Sequence, residues 1–229
     1  MWETLYASTW HHPGIAWVAG FAFTLVLVRR LPFLAGFLVV FTLEIMADAL
    51  CTSPLSPVPA SLGTAAGITF VILGDLRYFV LLEACSGPRI RLTLPGALTA
   101  VATAFVVPLS ATAVRLSVPA VEASNRNQFL VYESFFFALA LALRLLVLPR
   151  RLKASPPPVR AWLSRITLFE ILQYGLWIAA DLLLLAGIKP AFGVRLLPNI
   201  MYYALFLPFV LLTAPPEERS FRARPEPGS

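Results

Sequence analysis

The chain has 229 residues, 59% hydrophobic and 13% charged, with a mean hydropathy of +0.79 and a formal net charge of +6. Soluble domains carry about 25% charged residues, so no single soluble core hides this much apolar surface and lipid must be the solvent. The positive balance does not point to nucleic acid, because most basic residues lie in three short loops and the C-terminal tail rather than on one face or in one run.

A helix needs about 20 apolar residues to cross a hydrocarbon core of about 30 Å. In chain order, seven stretches qualify: approximately 12–28, 31–50, 61–84, 93–114, 129–148, 162–187 and 195–213. Between them lie Arg29-Arg30, the proline-rich run 54–59, Gly87-Pro88, Pro119, Pro156-Pro157-Pro158 and Lys189-Pro190, and Pro215-Pro216 follows the last. Proline suits such boundaries because it removes a backbone donor and resists helix continuation. The pattern predicts an all-α membrane protein: a seven-transmembrane-helix bundle in one domain, 1–214, with a disordered cytoplasmic tail at 215–229. No alternating pattern is long enough for an outer-membrane barrel. The first stretch has no upstream Lys or Arg and no small-residue cleavage site after it, so it reads as a retained helix rather than a signal peptide.

Orientation follows from the arginines. Arg29-Arg30 follow the first stretch, Arg89 and Arg91 the third, and Arg150, Arg151, Lys153, Arg160 and Arg165 flank the loop after the fifth; the tail adds Arg219, Arg222 and Arg224. The alternate loops hold Arg115, Arg126, Lys189 and Arg195. Positive loops stay cytoplasmic, which puts the N-terminus outside and the C-terminus in the cytoplasm of a multi-pass plasma membrane protein. A composition rich in Arg, Ala, Leu and Pro suits a GC-rich bacterial genome and hence an inner membrane. A faint similarity between 21–44 and 135–170 is compatible with two three-helix units around a lone fourth helix.

Leaving aside Arg165 and Arg195 at the stretch ends, nine charged residues fall inside the stretches: Glu44, Asp48, Asp75, Arg77, Glu83, Glu133, Arg144, Glu170 and Asp181. A charge at mid-bilayer costs about 2.5–3.5 kcal/mol on insertion scales, so such side chains face the protein interior or water. Counting along each helix puts Glu44, Asp48, Glu133 and Asp181 in the outer half and Asp75 near the middle. Arg77, Arg144 and Glu170 fall in the inner half, and Glu83 near the cytoplasmic interface. The outer half is thus expected to be purely acidic.

Periodicity groups these residues further. Glu44 and Asp48 share a side of the second stretch, and Glu133 and Arg144 a side of the fifth. Glu170, Gln173, Tyr174, Trp177 and Asp181 form one stripe on the sixth, and Asn199, Tyr202 and Tyr203 lie near the outer end of the seventh. Arg77, Arg144 and Glu170 are expected in structural ion pairs, with an Arg144–Glu170 contact at matched depth. Gly63, Gly67 and Gly74 line one side of the third stretch, as a close helix–helix packing seam would.

Absences narrow the chemistry. The two lysines, Lys153 and Lys189, lie in predicted loops, so no mid-membrane lysine offers a retinal Schiff base. The two histidines, His11 and His12, precede or barely enter the first stretch, which argues against bis-histidine haem and histidine-rich metal sites. Cys51 and Cys85 fall at opposite ends of the third stretch and lack metal-ligand spacing. No cofactor or metal is expected. In length the chain is similar to small heptahelical terpene cyclases, which also carry an acid on the second helix, where Glu44 stands here. They look like Trp-Glu at that place and this chain has Leu43-Glu44; at their second acid, on the last helix, it offers Asn199.

Three functions fit. The first is a transporter or channel-like protein with an outward-facing acidic cavity for a proton, cation or cationic solute, bound by Glu44, Asp48, Asp75, Glu133 and Asp181 with Asn199 and Tyr202 at the mouth. The second is an intramembrane acid–base enzyme of cyclase or isomerase type acting on a lipid or terpenoid, with Glu44 as acid and Asp75 or Asp181 as base. The third is a non-catalytic subunit or receptor. Membrane lipids, a small cationic or lipidic ligand and other membrane subunits are the partners these readings imply.

Overall fold

The computed structural model describes residues 1–8, 20, 32–122 and 124–219. Apart from Gly20, the expected first span at 12–28 lies outside these, as do Arg29-Arg30 and residues 220–229 of the tail. Every element among the described residues is helical. A short α1 (Trp2–Tyr6) is followed by α2 (Pro32–Cys51), α3 (Gly63–Ala84), α4 (Leu94–Ala104), α5 (Val106–Ser117), α6 (Pro119–Glu122) and α7 (Asn125–Ala142). Then come α8 (Leu148–Arg151), α9 (Pro157–Leu185), α10 (Ala191–Ile200), α11 (Phe206–Thr213) and α12 (Pro216–Arg219). Among the described residues six segments are long and apolar enough to cross a membrane: Phe33–Cys51, Ala65–Ala84, Leu94–Ser117, Asn125–Arg151, Pro157–Leu185 and Ala191–Thr213. These coincide with the last six of the seven expected stretches. The chain is a polytopic helical membrane protein.

Prolines shape three of the spans. A proline ring clashes with the carbonyl four residues earlier and supplies no N–H. Pro108 lies four residues after Ala104, where α4 ends and α5 takes over. Pro149 follows a π turn at Leu143–Val147, and Pro208 follows another at Met201–Leu205. In each π turn one N–H reaches back five residues, Leu148 to Leu143 and Phe206 to Met201. Such turns widen the helix and release carbonyls from their usual partners.

Cap chemistry sets the ends. Thr93 caps α4 by accepting from the Gly96 N–H at 3.2 Å. At the end of α9, Gly187 takes φ +81°. There Ile188 N–H bonds Leu183 O and Gly187 N–H bonds Leu184 O, each at 3.0 Å, a Schellman closure that favours glycine.

The spans close into a ring. α2 packs on α3, α3 on α4, α5 on α7, α7 on α9, α9 on α10 and α11, and α11 returns to α2; α9 also touches α3 inside the ring. Trp162 Nε1 ties α9 to α11 by donating to Val210 O at 2.9 Å. Phe79, Phe136, Leu163, Ile166 and Phe206 form part of a dry core, while Leu43, Leu98, Leu109, Leu172 and Leu212 face outward. Outward leucines on every side are what a lipid-solvated bundle requires. The glycine seam of α3 is only partly a packing seam. Gly74 is tightly covered, but a side chain at Gly63 or Gly67 would meet nothing within 4 Å among the described residues.

Candidate functional site

A cavity of about 670 Å³ lies at the end of the bundle where α2, α5 and α9 finish and α3, α7 and α10 begin. One wall is aromatic: Tyr132, Tyr174, Trp177, Tyr202 and Tyr203 all line it. Their rings touch in sequence, Tyr132 to Tyr174 at 6.3 Å, Tyr174 to Trp177 at 5.1 Å, Trp177 to Tyr202 at 5.8 Å and Tyr202 to Tyr203 at 4.7 Å between centroids. Trp177 is held by its Nε1 donating to Asn199 Oδ1 at 2.7 Å. Asp48 faces this wall from α2. Its Oδ1 accepts from Thr52 Oγ1 at 3.1 Å, and the Tyr203 and Tyr202 hydroxyls lie beside it.

The mouth is not purely acidic, contrary to expectation. Asp181 is paired with Arg195 and, at 2.7 Å, with Arg126. Arg195 also reaches Glu133 at 3.6 Å and donates from Nε to the Tyr6 hydroxyl at 2.7 Å. Both arginines were read as loop residues because the helices start earlier than hydropathy suggested: α7 at Asn125 and α10 at Ala191. The signal was present in spacing. Arg195, Asn199 and Tyr202 follow the 0, 4, 7 pattern of one helix face, and Arg126 and Glu133 stand seven apart on another.

Beneath the cavity lies a second layer. Asp75, buried on α3, accepts from both Tyr132 and Tyr174, the latter at 2.8 Å. Tyr132 was missed by sequence reasoning, although it precedes Glu133. Gly74 lets the Tyr202 ring pass, since a Cβ there would sit 2.0 Å from the Tyr202 hydroxyl. Arg77 is 1% exposed and lies between the rings of Tyr202 and Phe206, 4.1 and 4.2 Å from their centroids. It donates to Tyr202 O at 3.2 Å, a carbonyl within the π turn whose usual partner, the Phe206 N–H, bonds Met201 instead. Glu44 and Glu170 both lie within its electrostatic reach. Several buried polar atoms here have no hydrogen-bond partner among the described residues: both oxygens of Glu44, both amide atoms of Gln173 and Nε of Arg77.

The expected Arg144–Glu170 contact is absent among the described residues. Arg144 instead donates to Ser164 O at 2.5 Å and to Ser164 Oγ at 3.0 Å. The cause is helix register. Pro157 begins α9, five residues before the expected start at 162, and proline is well tolerated in the first helical turn. That shift sets Arg144 level with Ser164 across the antiparallel pair. At the same end, Glu83 is not simply hydrated but pairs with Arg151 at 2.6 Å.

Of the residues proposed from sequence, Asp48, Glu133, Asn199 and Tyr202 line one cavity. Glu44, Asp75 and Asp181 do not share it: Asp75 is held by two phenols, Asp181 by two arginines, and Glu44 lies near Arg77. Among the described residues no hydrogen bond or ion pair joins Glu44 to Asp75 or Asp181. At the opposite end of α3 from half-buried Cys51, Cys85 is buried, which with nearby Glu218 pushes its thiol up to about 12. Both cysteines are free. Comparison with protein-family models, with curated proteins and with solved structures gave no match to this chain.

Proposed function

We propose that this chain is a small membrane carrier that takes up an organic cation at the aromatic wall and passes it along the polar column beneath. The observation that carries this reading is Asp48. It is the lining carboxylate with no arginine at ion-pair distance among the described residues, and it stands beside a run of five aromatic rings. A cation over such rings gains about 0.5–2 kcal/mol per contact, more when desolvated. Below it, the unpartnered atoms of Glu44, Gln173 and Arg77 form polar surface that a passing solute or water would satisfy. An unpaired buried polar group costs about 1–3 kcal/mol, so a static bundle gains little by keeping five such atoms.

The arginine distribution orients the cavity outward, with the C-terminus in the cytoplasm. Native cysteines test this. Cys51 lines the cavity, whereas Cys85 is buried with a thiol that stays protonated near neutral pH. A membrane-impermeant maleimide added outside intact cells should label Cys51 and spare Cys85; labelling of Cys51 only after lysis reverses the orientation. Transport is tested by choline uptake into proteoliposomes holding the full chain. Saturable uptake that falls at least about tenfold in Asp48→Asn, a loss of about 1.4 kcal/mol or more, supports the reading. Binding without uptake makes the protein a receptor, and uptake indifferent to Asp48→Asn removes the site.

A further inference from the structure

The cavity has a second pole that a simple cation leaves unused. Three arginines lie at or behind its walls, Arg115, Arg126 and Arg195. Arg126 and Arg195 are committed to Asp181 and Glu133. Arg115, at the end of α5, lines the cavity and among the described residues donates one hydrogen bond, from NH1 to Gln128 Oε1 at 2.9 Å. No carboxylate among the described residues pairs with it. Neither Arg115 nor Asp48 thus has an ion-pair partner among the described residues.

These two charges do not neutralise each other. Asp48 projects from α2 and Arg115 from α5, and in the ring of spans α3 stands between those helices. Resting on the reading of Asp48 as a cation site, we infer that the cavity is dipolar and selects a small zwitterion, with an ammonium group at Asp48 and the aromatic wall and a carboxylate at Arg115. Charge balance favours this. Among the described lining residues Asp48 and Glu133 stand against Arg115 and Arg195, so with both acids ionised their charges balance. A monovalent cation entering a low-dielectric site would leave a net charge, whereas a zwitterion leaves none. The guanidinium fork matches a carboxylate bidentately, a geometry that a Gln128 amide oxygen uses only in part. A volume of about 670 Å³ exceeds what a few-carbon zwitterion needs, so several sizes of such molecule fit.

Glycine betaine and choline make a matched pair of probes, sharing a trimethylammonium head and differing in carboxylate against hydroxymethyl. Binding to the purified full chain, read by Trp177 fluorescence and checked by calorimetry, should favour betaine by about tenfold, the factor that 1.4 kcal/mol represents. Arg115→Gln should erase that preference and leave choline binding within about twofold, and Arg115→Lys should keep part of it. Asp48→Asn should weaken both probes. Choline bound as tightly as betaine in the unaltered protein, or a betaine preference that survives Arg115→Gln, overturns the dipolar cavity while leaving the cation site standing. Failure of both probes to bind overturns the cation site as well. A variant that loses choline binding along with betaine is compared by thermal unfolding; if folded, it shows Arg115 acting on the whole cavity rather than on the carboxylate, which also overturns the inference.

Discussion

At the mouth, Asp181 and Glu133 face Arg195 and Arg126, two acids against two bases carried by α7, α9 and α10. One layer down, Glu44, Asp75 and Glu170 share the field of a single base, Arg77, whose flat faces are given to aromatic rings. The mouth is matched charge for charge and ties helix ends together. The layer beneath is underpaired, held by phenols, ring faces and one released carbonyl, with polar atoms left over. Buried charge that balances reads as architecture, and buried polarity that does not balance reads as a path or a site. The difference puts Asp181 in the paired layer and Asp75 and Arg77 in the underpaired one.

The largest effect should come from unbalancing the frame. Arg195→Ala leaves Asp181 with Arg126 alone and Glu133 with no base at ion-pair distance among the described residues, and breaking a buried pair costs about 3–5 kcal/mol. In detergent, Arg195→Ala should unfold well below the parent temperature, and adding Glu133→Gln should recover part of the loss. A change smaller than about 1 kcal/mol would mean that water already carries these charges and that the mouth is no frame at all.

Gly74→Ala strikes the other layer. The new Cβ would meet the Tyr202 hydroxyl at 2.0 Å and its Cζ at 2.8 Å, so the ring must retreat toward Arg77. Overpacking of this kind costs about 1–3 kcal/mol. Choline binding should fall more than stability does, because Tyr202 belongs to the cavity wall. Equal loss of binding and of stability would make the wall merely structural.

Much of this contrast was legible in the sequence, and the missed part has a physical cause. Hydropathy located the six described spans, since twenty apolar residues in a row have few other uses. The stripe Glu170, Gln173, Tyr174, Trp177 and Asp181 does turn inward: all but half-buried Trp177 are buried. Helix ends were harder. Hydropathy windows stop near the first charge, yet α7 begins at Asn125, just before Arg126, and α10 at Ala191, four residues before Arg195, so both arginines were counted as loop residues and the mouth was read as acidic. Nor could spacing show which acid meets which partner. The two phenols on Asp75 come from α7 and α9, and their meeting depends on α9 crossing inside the ring against α3.

Those phenols give a smaller effect that sharpens the lower layer. Tyr174→Phe removes one of two donors to buried Asp75 and should cost about 1–2 kcal/mol, with Asp75→Asn alongside it less costly than the sum. The Tyr132→Phe series should behave alike. If either phenol is silent in stability yet lowers choline uptake, Asp75 belongs to the transport path rather than to the packing of α3.

The smallest expected effect is a coupling close to zero, and it is informative for that reason. Arg144 and Glu170 both lie in the half of the bundle away from the cavity, and an inner ion pair between them would make that half a second matched frame. The structure gives Arg144 to Ser164, six residues before Glu170 and hence about 9 Å lower along α9 at a rise of about 1.5 Å per residue. Glu170 instead lies in the field of Arg77. In a double-mutant cycle, Arg144→Ala and Glu170→Gln should therefore add to within about 0.5 kcal/mol, as sites without shared partners do. Ser164→Ala alone should cost little, because its backbone carbonyl still accepts the guanidinium. A coupling well above 1 kcal/mol between Arg144 and Glu170 would mean that the two charges find each other after all. The lower half would then be a balanced frame like the mouth, and the leftover polarity around Arg77 would shrink to an isolated pocket with no exit toward the cytoplasm.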